Sequence, residues 1–358
     1  MIPVASPIIG DDERAAVDRV LRSGMLAQGP EVAAFENEYS AVVAGRHCVA
    51  VNSGTSALHM SLLALGIGPG DEVIVPSFTF AATANSVALT GATPIFVDIE
   101  PDFFCMDPVA VEAAITPRTK AIMPVHLYGH PANMTRLLAI AKKHGLLVSE
   151  DAAQAHSATW NGTPVGALGD IASFSFYPTK NMTAGEGGMV TTAGADIART
   201  VRLLRNQGME KRYENEIVGF NTRMTDIHAA IGRVQLQKLP GWTAARQSNA
   251  QFLSDNIRGV ITPRVAPEAT HSYHQYTIRI EGLDRDAFAE ELTAKGVGNG
   301  VYYPIPVHRL ASFGLTFDLP STESVARQCL SLPVHPLLTP ADLEKIVDAV
   351  NTVAKAGA

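Results

Sequence analysis

The sequence contains little cysteine, little charge and no long hydrophobic run, and each shortage excludes a class of protein. Its 358 residues include three cysteines, Cys48, Cys105 and Cys329, which lie far apart and form no CxxC pair. We therefore expect neither a disulfide framework nor a zinc knuckle, and this cysteine usage favours the reducing cytoplasm. No apolar stretch approaches the length of a membrane span, and the N-terminus has neither the basic segment nor the apolar core of a signal peptide.

Charged residues make up 18% of the chain, and 28 basic against 35 acidic residues give a net charge of −7. No cluster of lysine and arginine stands out, so we expect no nucleic-acid partner. Hydrophobic residues make up 46% of the sequence, which is typical of a well-packed globular protein. The length suits two domains, or one large domain with a smaller one attached.

Short apolar segments alternate with segments of helical periodicity over residues 48–149. The pattern predicts strands over 48–51, 72–75, 94–97, 121–125 and 146–149, and helices over 11–21, 31–42, 55–65, 80–89, 108–114 and 134–144. Strands that alternate with helices imply an α/β fold with a mostly parallel sheet flanked by helices. In such sheets ligands bind beyond the carboxyl ends of the strands. The loops at those ends are therefore where we expect the chemistry.

The pattern changes after residue 238. Helical spacing returns over 242–257, 285–295 and 339–353, and a strand is expected over 273–280. The run Leu239-Pro-Gly241 interrupts the helical pattern that begins at Asp226. We therefore predict a large domain over 1–238, which includes the N-terminal helical segment, and a smaller C-terminal α+β domain over 239–358.

Lys180 lies in a turn between two apolar segments, 171–176 and 189–192, which are typical of a strand and the return strand of a hairpin. A lysine in a turn is usually a solvated surface charge. Here serines interrupt the first strand, and glycines between 185 and 188 let the backbone approach a ligand closely. A lysine that is kept out of water loses its proton more readily, and its amine then forms Schiff bases with carbonyl compounds.

Three other strand ends carry side chains suited to a ligand. Gly54 and Thr55 open a helix whose free N–H groups can bind an anion, although an ordinary Ser/Thr cap gives the same pattern. The ring of Phe80 can stack on a flat ligand, although most aromatic residues at strand ends fill the core. Asp151 follows an apolar strand and can hold a cation in a low dielectric, or it can cap the next turn.

His126 and His130 have the spacing of a metal-binding pair on a helix. Gly129 and Pro131 lie between and beside them, however, and prevent a helix there. We therefore predict no metal site.

An anion cradle, a stacking ring, a buried acid and a reactive lysine together match pyridoxal 5′-phosphate. In a set of shared stretches, the chain resembles the DegT-type (StrS-type) sugar aminotransferases of the aspartate-aminotransferase superfamily, fold type I. The matching stretches are 53–58, 70–80, 91–94 with 97–98, 150–156, 173–180, 185–188, 219–224, 303–308 and 332–336. They cover nearly the whole chain in the family's order, and Ser173-Phe-Ser-Phe-Tyr-Pro-Thr-Lys180 is the most specific of them.

The resemblance implies a role for each matching residue. Lys180 would form the Schiff base with the cofactor and move the proton, and Asp151 would pair with the ring nitrogen. The other implied cofactor contacts are Phe80 on the ring face, Gln154 on the phenolic oxygen, and Gly54, Thr55 and Ser175 on the phosphate. Asn221 of a neighbouring subunit would also reach the phosphate, which implies a homodimer with shared active sites. Alternatively, Asn221 holds its own loop as an Asx-turn.

The resemblance also implies the reaction, a ping-pong transfer of an amino group from L-glutamate to a nucleotide-linked keto-hexose. Some members of the family carry histidine at the lysine position and dehydrate the sugar, so the presence of Lys180 favours transamination. Substrate contacts are expected from Met25, Tyr303 and His308, although His308 fits a packed loop histidine equally well. The alternatives are an aminotransferase for a keto-cyclitol and a non-catalytic regulatory protein that binds pyridoxal phosphate.

Overall fold

A computed structural model describes residues 1–356. Eleven helices are present in this range: α1 Asp11–Ser23, α2 Pro30–Ser40, α3 Gly54–Ala64, α4 Ala82–Leu89, α5 Pro108–Ala113, α6 Met134–His144, α7 Ala195–Arg205, α8 Asp226–Asn256, α9 Arg285–Ala294, α10 Pro320–Gln328 and α11 Pro340–Ala356. The strands of the same range are β1 His47–Val51, β2 Glu72–Pro76, β3 Thr93–Val97, β4 Ile99–Glu100, β5 Cys105–Met106, β6 Thr119–Ile122, β7 Leu147–Asp151, β8 Thr159–Trp160, β9 Thr163–Pro164, β10 Ile171–Ser175, β11 Gly188–Thr192, β12 Ala269–Thr270, β13 Tyr276–Arg279 and β14 Cys329–Leu332.

Seven strands form the central sheet in the order β1-β11-β10-β7-β6-β2-β3. The pairs from β10 to β3 are all parallel, whereas β11 is antiparallel to both β1 and β10. The predicted α/β class with its mostly parallel sheet is confirmed. The apolar segment that follows Lys180, residues 189–192, is also the return strand of a hairpin, as predicted.

Helices cover both faces of the sheet, and β1 shows how the sequence specifies this. Val49 and Val51 pack with α3 and α7 on one face. Cys48 and Ala50 point the other way and pack with α2 and α8. Successive side chains of a strand alternate between the two faces, so a strand that is covered on both sides is an unbroken apolar run.

A second core forms the smaller unit. β13 and β14 pair antiparallel and pack with α9, α11 and the last turns of α8. The N-terminal segment joins this core, because Ile2 is buried in it and its N–H donates to the Gly296 carbonyl at 2.9 Å. Ile2 therefore packs with the C-terminal core, whereas the sequence-based division places it in the large unit.

The helix break predicted at Leu239-Pro-Gly241 is wrong. α8 continues through Pro240 from Asp226 to Asn256. Leu239 is buried in the core of the large unit and Leu253 in the core of the small one. Packing at both ends stabilises one continuous helix, since proline already has a helical φ and its cost there is a missing hydrogen bond. The division of the chain at residue 239 stays a prediction.

None of the helices within residues 1–356 combines the length and the apolar character that a membrane span requires.

Candidate active site

A cavity of about 760 Å³ lies at the carboxyl ends of the central strands. Asp151 and Ser175 are the last residues of β7 and β10, and Ser53 and Gly54 follow β1 within three residues. Residues of the segment 301–310, which lies between α9 and β14, form another part of the wall. The cavity therefore lies at the edge of the sheet where the sequence predicts the chemistry.

Most of the predicted site residues share this cavity. Its lining includes Gly54, Thr55, Phe80, Asp151, Gln154, Ser175, Lys180 and Tyr303. Residues that lie more than a hundred positions apart in sequence thus meet in one place. Met25, Asn221 and His308 lie outside the lining.

Lys180 follows β10 in a turn closed by the hydrogen bond from its N–H to the Tyr177 carbonyl, at 2.9 Å. The residue keeps a partly accessible surface, and it lines the cavity. Removal from water lowers the pKa of the Lys180 amine to about 8, although the carboxylate of Asp151 acts in the opposite direction. About a tenth of the amine is therefore neutral and nucleophilic at pH 7, far more than for an ordinary lysine.

Asp151 is held in place by its backbone and by its side chain. Its N–H donates to the Pro124 carbonyl at 2.8 Å, and its carbonyl accepts from the His126 N–H at 3.0 Å. Its Oδ2 accepts from the Thr83 hydroxyl at 2.7 Å, and Oδ1 accepts from the Ala153 N–H at 3.2 Å. Burial raises the pKa of the Asp151 carboxyl, while the two donors and the Lys180 cation lower it. A cation bound next to this carboxylate would hold it in the charged form.

Glu150 organises the loops behind Asp151. Its buried carboxylate accepts from the N–H groups of Gly166, Leu168 and Gly169 at 2.7–3.0 Å, and from Nε2 of His126 at 3.0 Å. Nδ1 of His126 accepts from a backbone N–H, so the ring is neutral with its proton on Nε2. Burial alone would raise the pKa of the Glu150 carboxyl, but the His126 and backbone donors lower it below its ordinary value. Both ring nitrogens of His126 are thus occupied.

The N-terminus of α3 approaches β10 so closely that residue 54 has to be glycine. A Cβ added at Gly54 would lie 2.7 Å from the Cβ of Ser175. Ser53 caps the helix, because its side chain accepts from the Ser56 N–H at 3.1 Å. Helix capping and the anion cradle are therefore compatible here, since Gly54 and Thr55 line the cavity and the first N–H groups of a helix have no partner within it.

Gln154 is held at both ends of its amide. Its Oε1 accepts from the Tyr128 N–H at 2.8 Å, and its Nε2 donates to the Tyr303 hydroxyl at 2.7 Å. The two tyrosine rings are nearly parallel, 6.2 Å apart, and both residues have a left-handed backbone, with φ of 58° and 57°. The amide nitrogen of Gln154 therefore faces the cavity side, where it is a donor.

His308, an expected substrate contact, lies outside the cavity lining. Its ring has no exposed surface. Nδ1 accepts from the Ser77 hydroxyl at 2.6 Å, and Nε2 donates to the Phe317 carbonyl at 3.1 Å. The structure favours the packed loop histidine, and the same loop presents Ile305 and Leu310 to the cavity instead.

Met25 and Asn221 are both exposed. Met25 is 53% accessible in the loop between α1 and α2. Asn221 pairs with Asn206 through a backbone bridge and is exposed outside the cavity of its own chain. The roles expected of these two side chains stay predictions.

Several residues of the site were missed from the sequence. They are Thr79, Thr83, Tyr128, His274 and Gln275. Thr79 and Thr83 follow the same strand end as Phe80, so the position of that loop was a usable signal. His274 and Gln275 come from the smaller unit, where no local pattern indicates that the chain turns back to the cavity.

The cavity residues fit pyridoxal phosphate. Gly54, Thr55 and Ser175 form a narrow polar cradle that a Cβ at residue 54 would fill. Asp151 supplies a buried carboxylate, and Lys180 an amine of lowered pKa. The ring of Phe80 is 60% accessible and lines the cavity between them. A phosphate, a flat ring with a basic nitrogen and an aldehyde each find a matching group here.

This site on this fold is that of an aminotransferase of fold type I. The comparison with known proteins defines the family: the chain belongs to the DegT/DnrJ/EryC1/StrS aminotransferase family, whose model matches residues 7–351.

Relatives and a solved structure agree along nearly the whole chain. The dTDP-3-amino-3,4,6-trideoxy-alpha-D-glucose transaminase of Streptomyces venezuelae is 44% identical over 95% of this chain and 92% of its own length. The GDP-perosamine synthase of Caulobacter vibrioides is 43% identical over 98% of both chains. The PLP form of a putative sugar aminotransferase from Streptococcus pneumoniae is 30% identical and superimposes with a TM-score of 0.95 over 100% of this chain and 99% of its own.

Proposed function

We propose that the protein transfers the amino group of L-glutamate to the keto group of a nucleotide-linked hexose. The observation that carries this proposal is the pairing of Lys180, an amine of lowered pKa, with the buried carboxylate of Asp151 on one cavity. An amine that is partly neutral near pH 7 can both bond to a carbonyl carbon and carry a proton between carbon atoms.

Pyridoxal phosphate, when bound, supplies an aldehyde for amines and a ring that draws electrons from the adjacent carbon. We infer that Gly54, Thr55 and Ser175 hold its phosphate and that Phe80 covers one face of its ring. Asp151 would keep a proton on the ring nitrogen, because a buried carboxylate favours a cation beside it. The Nε2 donor of Gln154 would orient the phenolic oxygen.

Lys180 has two tasks in this proposal. It holds the cofactor until an amino substrate displaces it, and its freed Nζ then moves a proton. In the first half-reaction Nζ takes the proton from the α-carbon of the donor. In the second it delivers a proton to the carbon that carried the keto group. Burial serves both tasks because it keeps Nζ partly neutral.

The acceptor class is supported by the relatives and by the cavity. The two relatives described above are named for sugars linked to dTDP or GDP. A cavity of about 760 Å³ has room for a hexose beside the cofactor. Its lining includes Phe80, Ile305 and Leu310, which are apolar surfaces suited to the faces of sugar and base rings.

A titration of the purified holoenzyme with L-glutamate tests the proposal. We expect the yellow colour of the lysine-bound cofactor to fade with the release of one equivalent of 2-oxoglutarate, and a keto-sugar nucleotide to restore it. Lys180→Ala is the matched control and should not complete turnover. A wild-type protein that keeps its colour and releases no 2-oxoglutarate would contradict the proposal and favour a regulatory role.

A panel of acceptors separates the sugar from the cyclitol. Keto-hexoses linked to dTDP, GDP and UDP are compared with a keto-cyclitol under the same conditions. We expect amine product from the nucleotide-linked sugars alone. Turnover of the cyclitol at a higher kcat/KM than of any nucleotide sugar would overturn the assignment of the acceptor.

We also propose a cytoplasmic homodimer in which each subunit completes the site of the other. Asn221 is exposed and lies outside the cavity of its own chain, which suits a side chain that reaches the phosphate of a second copy. The three cysteines are free and buried, which suits a reducing compartment.

A further inference from the structure

A pair of threonine hydroxyls extends from the cavity wall to Asp151. Oγ1 of Thr83 lies 2.7 Å from Oδ2 of Asp151, and Oγ1 of Thr79 lies 2.9 Å from Oγ1 of Thr83. Thr79 lines the cavity, whereas Thr83 lies behind it in the first turn of α4 with no exposed surface. The proposed function assigns no role to either hydroxyl.

The direction of these hydrogen bonds follows from the chemistry of the groups. A charged carboxylate only accepts, so the single hydroxyl proton of Thr83 points to Asp151. Thr83 then has only lone pairs to offer Thr79, so Thr79 is the donor between the two hydroxyls. Both dipoles are therefore oriented toward the Asp151 carboxylate, which is the arrangement that stabilises its negative charge.

We propose that Thr83 is a positioning residue of the transamination reaction. Its hydroxyl keeps Asp151 ionised and oriented toward the ring nitrogen of the cofactor. The inference rests on the proposed function of Asp151. It assigns to Thr83 the hydrogen bond that offsets the burial of a carboxylate.

The other groups around Asp151 do not replace this hydrogen bond. His126 is neutral, and both its ring nitrogens are occupied by Glu150 and a backbone N–H. The Tyr303 hydroxyl accepts from Gln154. Lys180 acts on Asp151 through charge, and it gives up that charge when it reacts. Within residues 1–356, Thr83 is the side chain that donates to Asp151, and the Ala153 N–H at the longer distance of 3.2 Å is the other donor.

Loss of the Thr83 hydroxyl should change the pH at which the Asp151 carboxyl ionises. Burial already raises the pKa of the Asp151 carboxyl, and the Thr83 hydroxyl lowers it. Thr83→Val keeps the shape of the side chain and removes the hydroxyl. A hydrogen bond to a charged group is worth about one to two pH units in such an equilibrium. Asp151 should therefore take up its proton at a pH about one unit higher in this variant.

The experiment measures this shift in apoprotein and holoenzyme. In the apoprotein, the carboxyl ¹³C resonance of Asp151, assigned by its loss in Asp151→Asn, is titrated in wild type, Thr83→Val and Thr83→Ser. In the holoenzyme, the affinity for pyridoxal phosphate and the acidic limb of the glutamate half-reaction are measured. We expect Thr83→Val to shift both titrations upward and to weaken cofactor binding about tenfold, and Thr83→Ser to stay near wild type.

Ser86→Ala is the matched control, because it removes another buried hydroxyl from the same helix. The Ser86 hydroxyl donates to the Thr83 carbonyl at 2.8 Å and does not reach Asp151. We expect no shift of the Asp151 titration in this variant. An unshifted titration in Thr83→Val, or equal shifts in Thr83→Val and either Thr83→Ser or Ser86→Ala, would overturn the proposal.

A failure of the inference about Thr83 is distinguishable from a failure of the proposed function. If wild-type holoenzyme does not release 2-oxoglutarate, the proposed function fails, whereas the titration in the apoprotein still reports on Thr83. If wild-type protein reacts and Thr83→Val titrates like it, only the inference about Thr83 is overturned.

Discussion

Burial and a facing carboxylate act on the Lys180 amine in opposite directions. Loss of water around the amine lowers its pKa, and the Asp151 carboxylate raises it, with a net value of about 8 against an ordinary 10.5. The net direction shows that burial is the larger effect. A lysine at the same position in open water would be almost fully protonated at neutral pH and inert toward carbonyl carbons.

We therefore predict that Lys180 in the apoprotein becomes reactive at a lower pH than an ordinary lysine. Only the neutral amine is nucleophilic, so its labelling by a small amine-reactive reagent should rise with pH through a midpoint near 8. The labelled peptide is quantified by mass spectrometry between about pH 6 and pH 10. Asp151→Asn removes the carboxylate that favours the cation, so the midpoint should fall. A midpoint near that of exposed lysines would contradict the assigned environment.

At this scale, the sequence indicated those site residues that directly follow a strand. Asp151 and Gly54 belong to this group, because the end of a parallel strand has a fixed place in the fold. The role of Thr83 was not predictable, since it depends on the first turn of α4 lying beside the end of β7. The burial of His308 was not predictable either: its motif fits a ligand contact and a packed loop histidine equally well, and the ring turns inward to Ser77 and Phe317.

Among the elements, α8 connects the two cores of the chain. Its first turns pack with the large unit, its last turns pack with the small one, and Pro240 and Gly241 lie between them. Local propensity predicts a break at such a pair, whereas burial at both ends favours one helix. The two glycines of this helix differ in environment: Gly232 is buried against Phe35, and Gly241 has no atom within 4 Å of an added Cβ.

The two glycines of α8 should therefore respond in opposite ways to alanine. Gly241→Ala should stabilise the protein by about 0.5–1 kcal/mol, because alanine loses less conformational freedom in a helix. Gly232→Ala should destabilise it by about 1–3 kcal/mol, because the new Cβ would lie 2.9 Å from the Phe35 ring. Urea unfolding at one protein concentration measures both changes. A loss of stability in Gly241→Ala would mean that the helix does not continue through residue 241.

The central strands were predictable because each is a short apolar run between turn signals. α7 and α10 were overlooked, although Gly194 precedes α7 and arginines occupy its last turn. β14 was overlooked as well, because Cys329–Leu332 is too short to distinguish from loop by periodicity. Its partner β13 defines it, and that pairing joins residues about fifty positions apart.

At the scale of the whole molecule, the cavity is a product of both units. Asp151 and Lys180 come from strand ends of the central sheet, whereas Tyr303 and the apolar residues beside it come from the segment between α9 and β14. The sequence indicated the class of fold and the half of the site that the large unit provides. The other half depends on how the second core is oriented against the first, and no local pattern specifies that.

The exposed side chain of Asn221 is relevant to how two copies of the chain assemble. If it completes the site of a second copy, a dimer has two composite sites, each with Lys180 from one chain and Asn221 from the other. If it acts within its own chain, each site is self-contained. The two arrangements predict different results when two inactive variants are mixed.

We therefore predict that Lys180→Ala and Asn221→Ala complement each other when they are co-expressed with different tags. In a mixed dimer of composite sites, one site has lost both residues and the other is intact. Random pairing then leaves about one quarter of all sites active, and tandem purification through both tags raises the share to about one half. Glutamate-dependent turnover of the doubly purified protein is the measurement, with each single variant as its control. If Asn221 serves its own chain, every site in the mixture carries one lesion, and activity stays at the level of the single variants.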